Sequence, residues 1–315
     1  MNISPIALKI WAVHNTTSRI TTRKGFHDNW KTEDEFLAMM SDIPNIDDVV
    51  HELSVAVDDM DWMDGAVCCF DADFPVINES APKGDRPYLL FYKGDSSLLS
   101  DLNRNVAVIG YTTPNKALIA RESKIVEQLV RHGQHIVSGL AKGCDAIGHK
   151  VCMAHEGKTI AILPSPLNAI SPADHRDMAH QIIEKGGLVI SEYYNGPRSR
   201  HEAINRYVER DRLQALFSKA VVLIASYEGR DGDSGSRHAM GKAHSYGHLA
   251  CAMYDETTDG EVLEMKLNRS LLSQQKAKQL VTNPSGGGAV GHTSVTVEDL
   301  VNLVNPALEA QQKLF

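Results

Sequence analysis

Between residues 105 and 255 the chain alternates short apolar runs with stretches of helical spacing. The runs are "NVAVIG", "HIVSG", "TIAILP", "LVISEY", "AVVLIAS" and "LACAMYD". A run with no polar alternation has both faces covered, which is the pattern of parallel strands with helices on either side. The intervening segments carry helix punctuation. "NKALIARESKIVEQLVRHG" stops at Gly133, "CDAIGHKVCMAHEG" at Gly157, and "PADHRDMAHQIIEKGG" opens with Pro172. "INRYVERDRLQALFS" and "SGSRHAMGKAHSYG" follow the fourth and fifth runs. The predicted fold class is therefore α/β: a doubly wound, mostly parallel Rossmann-like sheet. "YLLFYKG" reads as a further strand, and "LNRSLLSQQKAKQ" and "TVEDLVNLV" as helices that complete the same domain. Ahead of the sheet, "KTEDEFLAMMSDI" and "IDDVVHELSVAVDDMDWM" have three- and four-residue apolar steps, with Thr32 and Asp47 or Asp48 as N-caps. The expected organisation is a small helical N-terminal domain at 1–65, the sheet domain at 66–305 and a tail at 306–315.

At 315 residues and 43% hydrophobic, the chain can bury a substantial core. It has no run of eighteen apolar residues, so no membrane span is expected. "MNISPIALKIWAVHNTTSR" lacks a basic leader region and reads as the mature start of a cytoplasmic protein. Cys68, Cys69, Cys144, Cys152 and Cys251 show no CxxC spacing and read as reduced, buried thiols. The net charge of −8 is unevenly spread: Glu33 to Asp73 holds thirteen acidic and no basic residues, whereas Arg198 to His248 holds nine Lys/Arg against six Asp/Glu. The acidic sum therefore does not exclude an anionic partner for the later half.

Ligands of open parallel sheets bind beyond the carboxyl ends of the strands. After the first run, Gly110-Tyr111-Thr112-Thr113-Pro114 is not a GxGxxG fingerprint, so a standard dinucleotide site is not expected. After the second run, "SGLAKGCDAIGHK" brings Ser138, Gly139, Lys142 and Gly143 to a helix start. There, N–H groups and a lysine suit an anion unless the glycines merely serve the turn. After the fourth, Glu192 precedes a helix on which Arg206 and Arg210 share a face, with Arg212 pointing elsewhere; Glu192 is placed to hold one of these arginines. After the fifth, Ser234, Gly235 and Ser236 open a helix bearing Arg237 and His238, a second anion candidate. His244 and His248 have ligand spacing but no carboxylate beside them, so neither a metal nor any other cofactor is expected. No G-x-S-x-G elbow supports a serine hydrolase.

Taken together, "DFP…RPYLLFYKGD", "VAVIG", "HIVSGLAKGCDAIGHKVCMAHEGKTIAIL", "GGLVISEY", "YVERDRLQALFSKAVVLIAS", "SGSRHAMGKAHSYGH", "NRSLL" and "VEDLVNLV" resemble the DprA/Smf family of DNA-processing proteins across roughly residues 66–304. The resemblance implies a Rossmann-like domain that binds single-stranded DNA, forms a homodimer and loads a RecA-type recombinase in natural transformation or recombination. Two positions depart from the family pattern. Gly110-Tyr111-Thr112 stands where Gly-Ser-Arg is usual, and Arg210-Asp211-Arg212 where Arg-Asn-Arg is usual. The expected phosphate contacts are Lys142, Arg210, Arg212, Arg237 and Lys242 with backbone N–H groups at 139–144 and 234–237, while Tyr111 and Tyr193 are read either as stacking surfaces for bases or as core side chains. The alternative is a nucleotide-binding sensor or a nucleoside-monophosphate N-glycosidase of the wider superfamily, with a place in phage defence.

Overall fold

The computed structural model describes residues 1–229, 235–281 and 294–306. Among these, eleven strands form one sheet in the order β1-β2-β3-β7-β6-β5-β4-β8-β9-β10-β11. The chain starts with β1 (Asn2–Ile3) and four helices, α1 (Pro5–Thr16), α2 (Arg23–Asn29), α3 (Glu33–Met40) and α4 (Ile46–Asp58). β2 (Gly65–Cys68) and β3 (Leu89–Gly94) form an antiparallel pair, and β3 pairs antiparallel with β7. The alternating block follows: β4 (Asn105–Ile109), α5 (Lys116–Arg131), β5 (His135–Ser138), α6 (Cys144–Ala154), β6 (Thr159–Leu163), α7 (Arg176–Glu184), β7 (Leu188–Ser191), α8 (Arg200–Leu216), β8 (Ala220–Leu223), α9 (Ser236–Ser245) and β9 (Leu249–Met253). α10 (Glu256–Asp259), α11 (Lys266–Ser273), β10 (Lys278–Leu280), β11 (Ser294–Val295) and α12 (Val297–Val304) close it. From β7 to β11 every neighbouring pair is parallel.

Each run predicted as a strand is one. The two-residue period divides each strand between two layers, as buried strands require. Val106 and Val108 of β4 face α5 and α12, while Ala107 and Ile109 face the layer of α8 and α9. Ala161 and Leu163 of β6 face α1 and α7, while Ile160 and Ile162 face the α8 and α9 layer. Local chemistry sets the helix starts: Asn115 accepts the N–H of Leu118 at α5, Ser199 that of Glu202 at α8, and Thr32 that of Glu35 at α3. At α4 the cap is Asn45, at φ +58°, rather than either expected aspartate.

Two elements differ from the sequence expectation. The helix read at 267–279 ends at Ser273, because Gln275 turns to φ +55° and the chain then pairs with β9 as β10. The helices at the front are not packed apart from the sheet. β1 pairs with β2, and Ile6, Ile10, Trp11, Phe26 and Phe36 share one buried cluster with Phe91, Leu163 and Val189. Trp11 meets Phe91 edge-on at 4.9 Å, and Phe26 stacks on Tyr88 at 4.5 Å. All five cysteines are free thiols, and no helix among the described residues is long and apolar enough to cross a membrane.

Candidate nucleic-acid interface

The strand order reverses between β4 and β8, and the loops beyond the carboxyl ends of these strands meet at Tyr111. Its N–H donates to the Ala225 carbonyl at 3.0 Å, and its carbonyl accepts the N–H of Cys144 at 3.2 Å. This backbone lies so close to the start of α6 that a Cβ at Gly143 would fall 2.4 Å from the Tyr111 oxygen, and Gly143 itself sits at φ +77°. Only glycine fits there. The requirement at Gly139 comes from a side chain, because a Cβ at that position would lie 1.4 Å from Nη1 of Arg210.

Of the two helix starts expected to receive an external anion, one has its loop N–H groups taken by a carboxylate of the chain, and the other has a carboxylate lying against it. Oδ2 of Asp145 accepts the N–H groups of Gly139 at 3.1 Å and Ala141 at 3.2 Å, and Nη1 of Arg210 lies 4.0 Å away. Burial pushes the Asp145 carboxyl up, against the pull of Arg210 and those N–H groups. The Ser138 hydroxyl is turned inward and donates to the Val108 carbonyl at 2.8 Å. At α9, a Cβ on Gly235 would sit 2.7 Å from Oδ2 of Asp211, so that carboxylate lies against the helix start, where the macrodipole favours it. Ser236 is buried there; Ser234 lies outside the described residues.

Arg206, Arg210 and Arg212 of α8 are interior as well. Arg210 donates to the Ile162 carbonyl at 3.1 Å and to Asp211 at 3.2 Å. Arg212 pairs with Glu192, as the sequence suggested, and its Nε is 3.6 Å from Glu209. Arg206 donates to the Asn195 carbonyl at 2.6 Å and to Glu202, with its guanidinium carbon 4.1 Å from the centre of the Tyr193 ring. The expected phosphate contacts through Arg210 and Arg212 are therefore corrected: both side chains are at most 5% exposed and committed to internal carboxylates. Of its two expected roles Tyr111 takes the core one, packed edge-on to Tyr227.

The cations that remain at the surface are fewer. Lys142 is exposed and pairs at 2.7 Å with the equally exposed Asp174 of the loop beyond β6. Asp174 holds the Lys142 ammonium above its usual range, and Lys142 holds the Asp174 carboxyl below its own. Arg237 is exposed in the first turn of α9. Lys242, half-buried, reaches both oxygens of Asp85 at 2.8 and 2.7 Å. Beyond β6 and β7 the rim continues through Ser171, whose hydroxyl is 2.8 Å from that of Tyr207, to Tyr193. Among the described residues no group of three His, Cys, Asp or Glu side chains is placed to hold a metal.

Sequence reading missed the partner of its own glycine loop: Asp145, two residues after Gly143 within the same segment. It also missed Arg23, which joins this region from α2. Arg23 pairs with Glu209, lies 3.8 Å from Glu192 and donates to the Gly84 carbonyl at 2.8 Å.

A family model described as DNA recombination-mediator protein A matches residues 65–284, more than two thirds of the chain. Protein Smf of Synechocystis sp. is 33% identical over 156 residues, 49% of this chain and 38% of that protein. DNA processing protein DprA of Streptococcus pneumoniae is 33% identical over 142 residues, 44% of this chain and 47% of that protein. The chain thus spans less than half the length of these curated relatives. Among solved structures, DNA processing protein A of Streptococcus pneumoniae superposes with a TM-score of 0.60 at 24% identity, covering 89% of this chain and 95% of that one. A structure of DNA processing protein A from Helicobacter pylori, described for its single-stranded DNA binding mode, gives 0.57 at 21%, covering 77% and 96%. At these identities the structural likeness establishes the fold.

Proposed function

The chain belongs to the DNA recombination-mediator protein A family, and on that premise we propose that it binds single-stranded DNA along the carboxyl-end rim of its sheet. The observation that supports this reading is that Asp145 takes the Gly139 and Ala141 N–H groups ahead of α6, while Asp211 lies against Gly235 at the start of α9. A site built to capture one mononucleotide phosphate needs those N–H groups for its guest. Here they serve the fold, and the cations left at the surface, Lys142 and Arg237, stand on the rim. Such an arrangement suits a polyanion held by several weak contacts that position a strand without reading its sequence. The same geometry favours binding over N-glycosidic cleavage, because Glu192, the acid that follows β7, is engaged by Arg212 and Arg23.

The family resemblance supports a cytoplasmic homodimer that passes the strand to a RecA-type recombinase. Titrating salt against the affinity for a labelled single strand and its duplex tests the core of the proposal. The expected result is tighter binding of the single strand, with affinity falling linearly on logarithmic axes as salt rises. Equal affinity for the duplex, or no dependence on salt, would overturn it.

A further inference from the structure

The first helices make a cavity with the strand-end rim. It measures ≈350 Å³ and lies between His14, the 21–24 segment, the 84–89 segment and the residues just after β7. Ligand pockets run from about 300 Å³ upward, so this one holds a single small group rather than an extended chain. Its lining combines two tyrosines, Tyr88 and Tyr193, with the Glu192 carboxylate and the hydroxyl-bearing Thr21 and Thr22, and Lys24 stands beside them. The rings are rigidly held. Tyr88 stacks on Phe26 with an interplanar angle of 11°. Tyr193 is backed by the guanidinium of Arg206, itself fixed by Asn195 and Glu202. Glu192 is held by Arg212 and lies 3.8 Å from Arg23, so its carboxylate stays at the cavity wall. Lys24 is largely exposed and pairs with the half-exposed Asp28 one turn along α2.

We infer that this cavity receives one unstacked nucleobase that carries a phosphate. The tyrosine rings supply the stacking surface, Glu192 accepts from an exocyclic amino group, and Lys24 faces the phosphate. A carboxylate accepts hydrogen bonds only, and the exocyclic amino group of cytosine or adenine offers it two N–H donors where thymine offers a single ring N–H, so the cavity favours an amino-bearing base over thymine. The inference rests on the proposed binding of single-stranded DNA, because the cavity adjoins Tyr193 and Arg206, where the rim traced from Lys142 through Ser171 and Tyr207 arrives. It gives the first 64 residues, which lie outside the matched family region, a part in holding the strand.

Gly84 offers a test that removes no charged side chain and keeps the carbonyl that accepts from Arg23. A Cβ built there meets nothing nearer than the Lys24 Cβ at 3.8 Å, so Gly84→Leu adds bulk at the cavity wall without a backbone clash. Fluorescence anisotropy is measured with short oligo-dC, oligo-dT and abasic strands, and with free dCMP, on the wild type and on Gly84→Leu; thermal unfolding confirms that the variant is folded. The expected result is oligo-dC bound roughly tenfold more tightly than oligo-dT or the abasic strand, with that difference abolished in Gly84→Leu. Equal, salt-dependent binding of all three strands, unchanged by Gly84→Leu, would overturn the cavity's role and leave strand binding standing. Binding of dCMP that Gly84→Leu blocks, with no strand bound, would keep base recognition but assign it to a free nucleotide. Failure of the wild type to bind any probe would overturn both readings.

Discussion

The Asp145 carboxylate stands 4.0 Å from the Arg210 guanidinium beneath the loop that follows β5, with neither side chain more than 7% exposed. The carboxylate ties that loop together through Gly139 and Ala141, while the guanidinium reaches across to the β6 carbonyl of Ile162. The pair therefore links two strand ends and the start of α6.

Removing one member of such a pair leaves the other charge buried. Asp145→Asn is expected to destabilise the protein by about 3–5 kcal/mol, the range for a broken interior ion pair. Urea unfolding measures it. A midpoint equal to that of the wild type would show that Arg210 finds sufficient partners in Asp211 and Ile162 alone.

A second carboxyl gives a pH signature. Glu122, fully buried on α5 beside the Cys144 thiol, is pushed well above its usual range by burial, with Asp145 adding to the shift and Cys144 opposing it. A raised folded-state value means that the stabilising contribution is complete below the unfolded value, near 4.3, and is lost as pH rises toward the folded one. Glu122→Gln is therefore expected to raise the melting temperature at neutral pH and to flatten its decline as pH rises above the ordinary carboxyl range. Parallel melting profiles for the two proteins would contradict this.

Lysines and arginines around the rim should separate cleanly. Lys142→Ala is expected to leave the unfolding midpoint unchanged, since an exposed pair contributes little. It should also weaken strand binding for all sequences alike and lower the salt slope by about one. Arg212→Ala should instead lower the unfolding midpoint, because Glu192 is left buried without its main partner. Loss of binding in Arg212→Ala with no change in stability would place that arginine on the ligand after all.

The strands were legible because a segment covered on both faces needs uninterrupted apolar side chains, and little else in a chain looks like "AVVLIAS". β10 was not, since Lys278 and Gln279 carry no such pattern; Gln279 is buried through a bond from its side-chain amide to the Tyr254 carbonyl. At the candidate site, composition and spacing found the glycines, the lysine and the arginines. They did not show which groups face inward. Gly139 and Arg210 lie 71 positions apart in the chain, and only the folded sheet puts the guanidinium where a Cβ would stand. Asp211 was visible as a carboxylate between two cations, but its place against the start of α9 is a tertiary fact.

The margins of the sheet have a consequence for how copies of this chain can meet. At one side the outermost strand is β1 and at the other β11, each only two residues long. Among the described residues, border strands this short offer little open backbone for ladder-to-ladder growth between copies, which works against fibrous association.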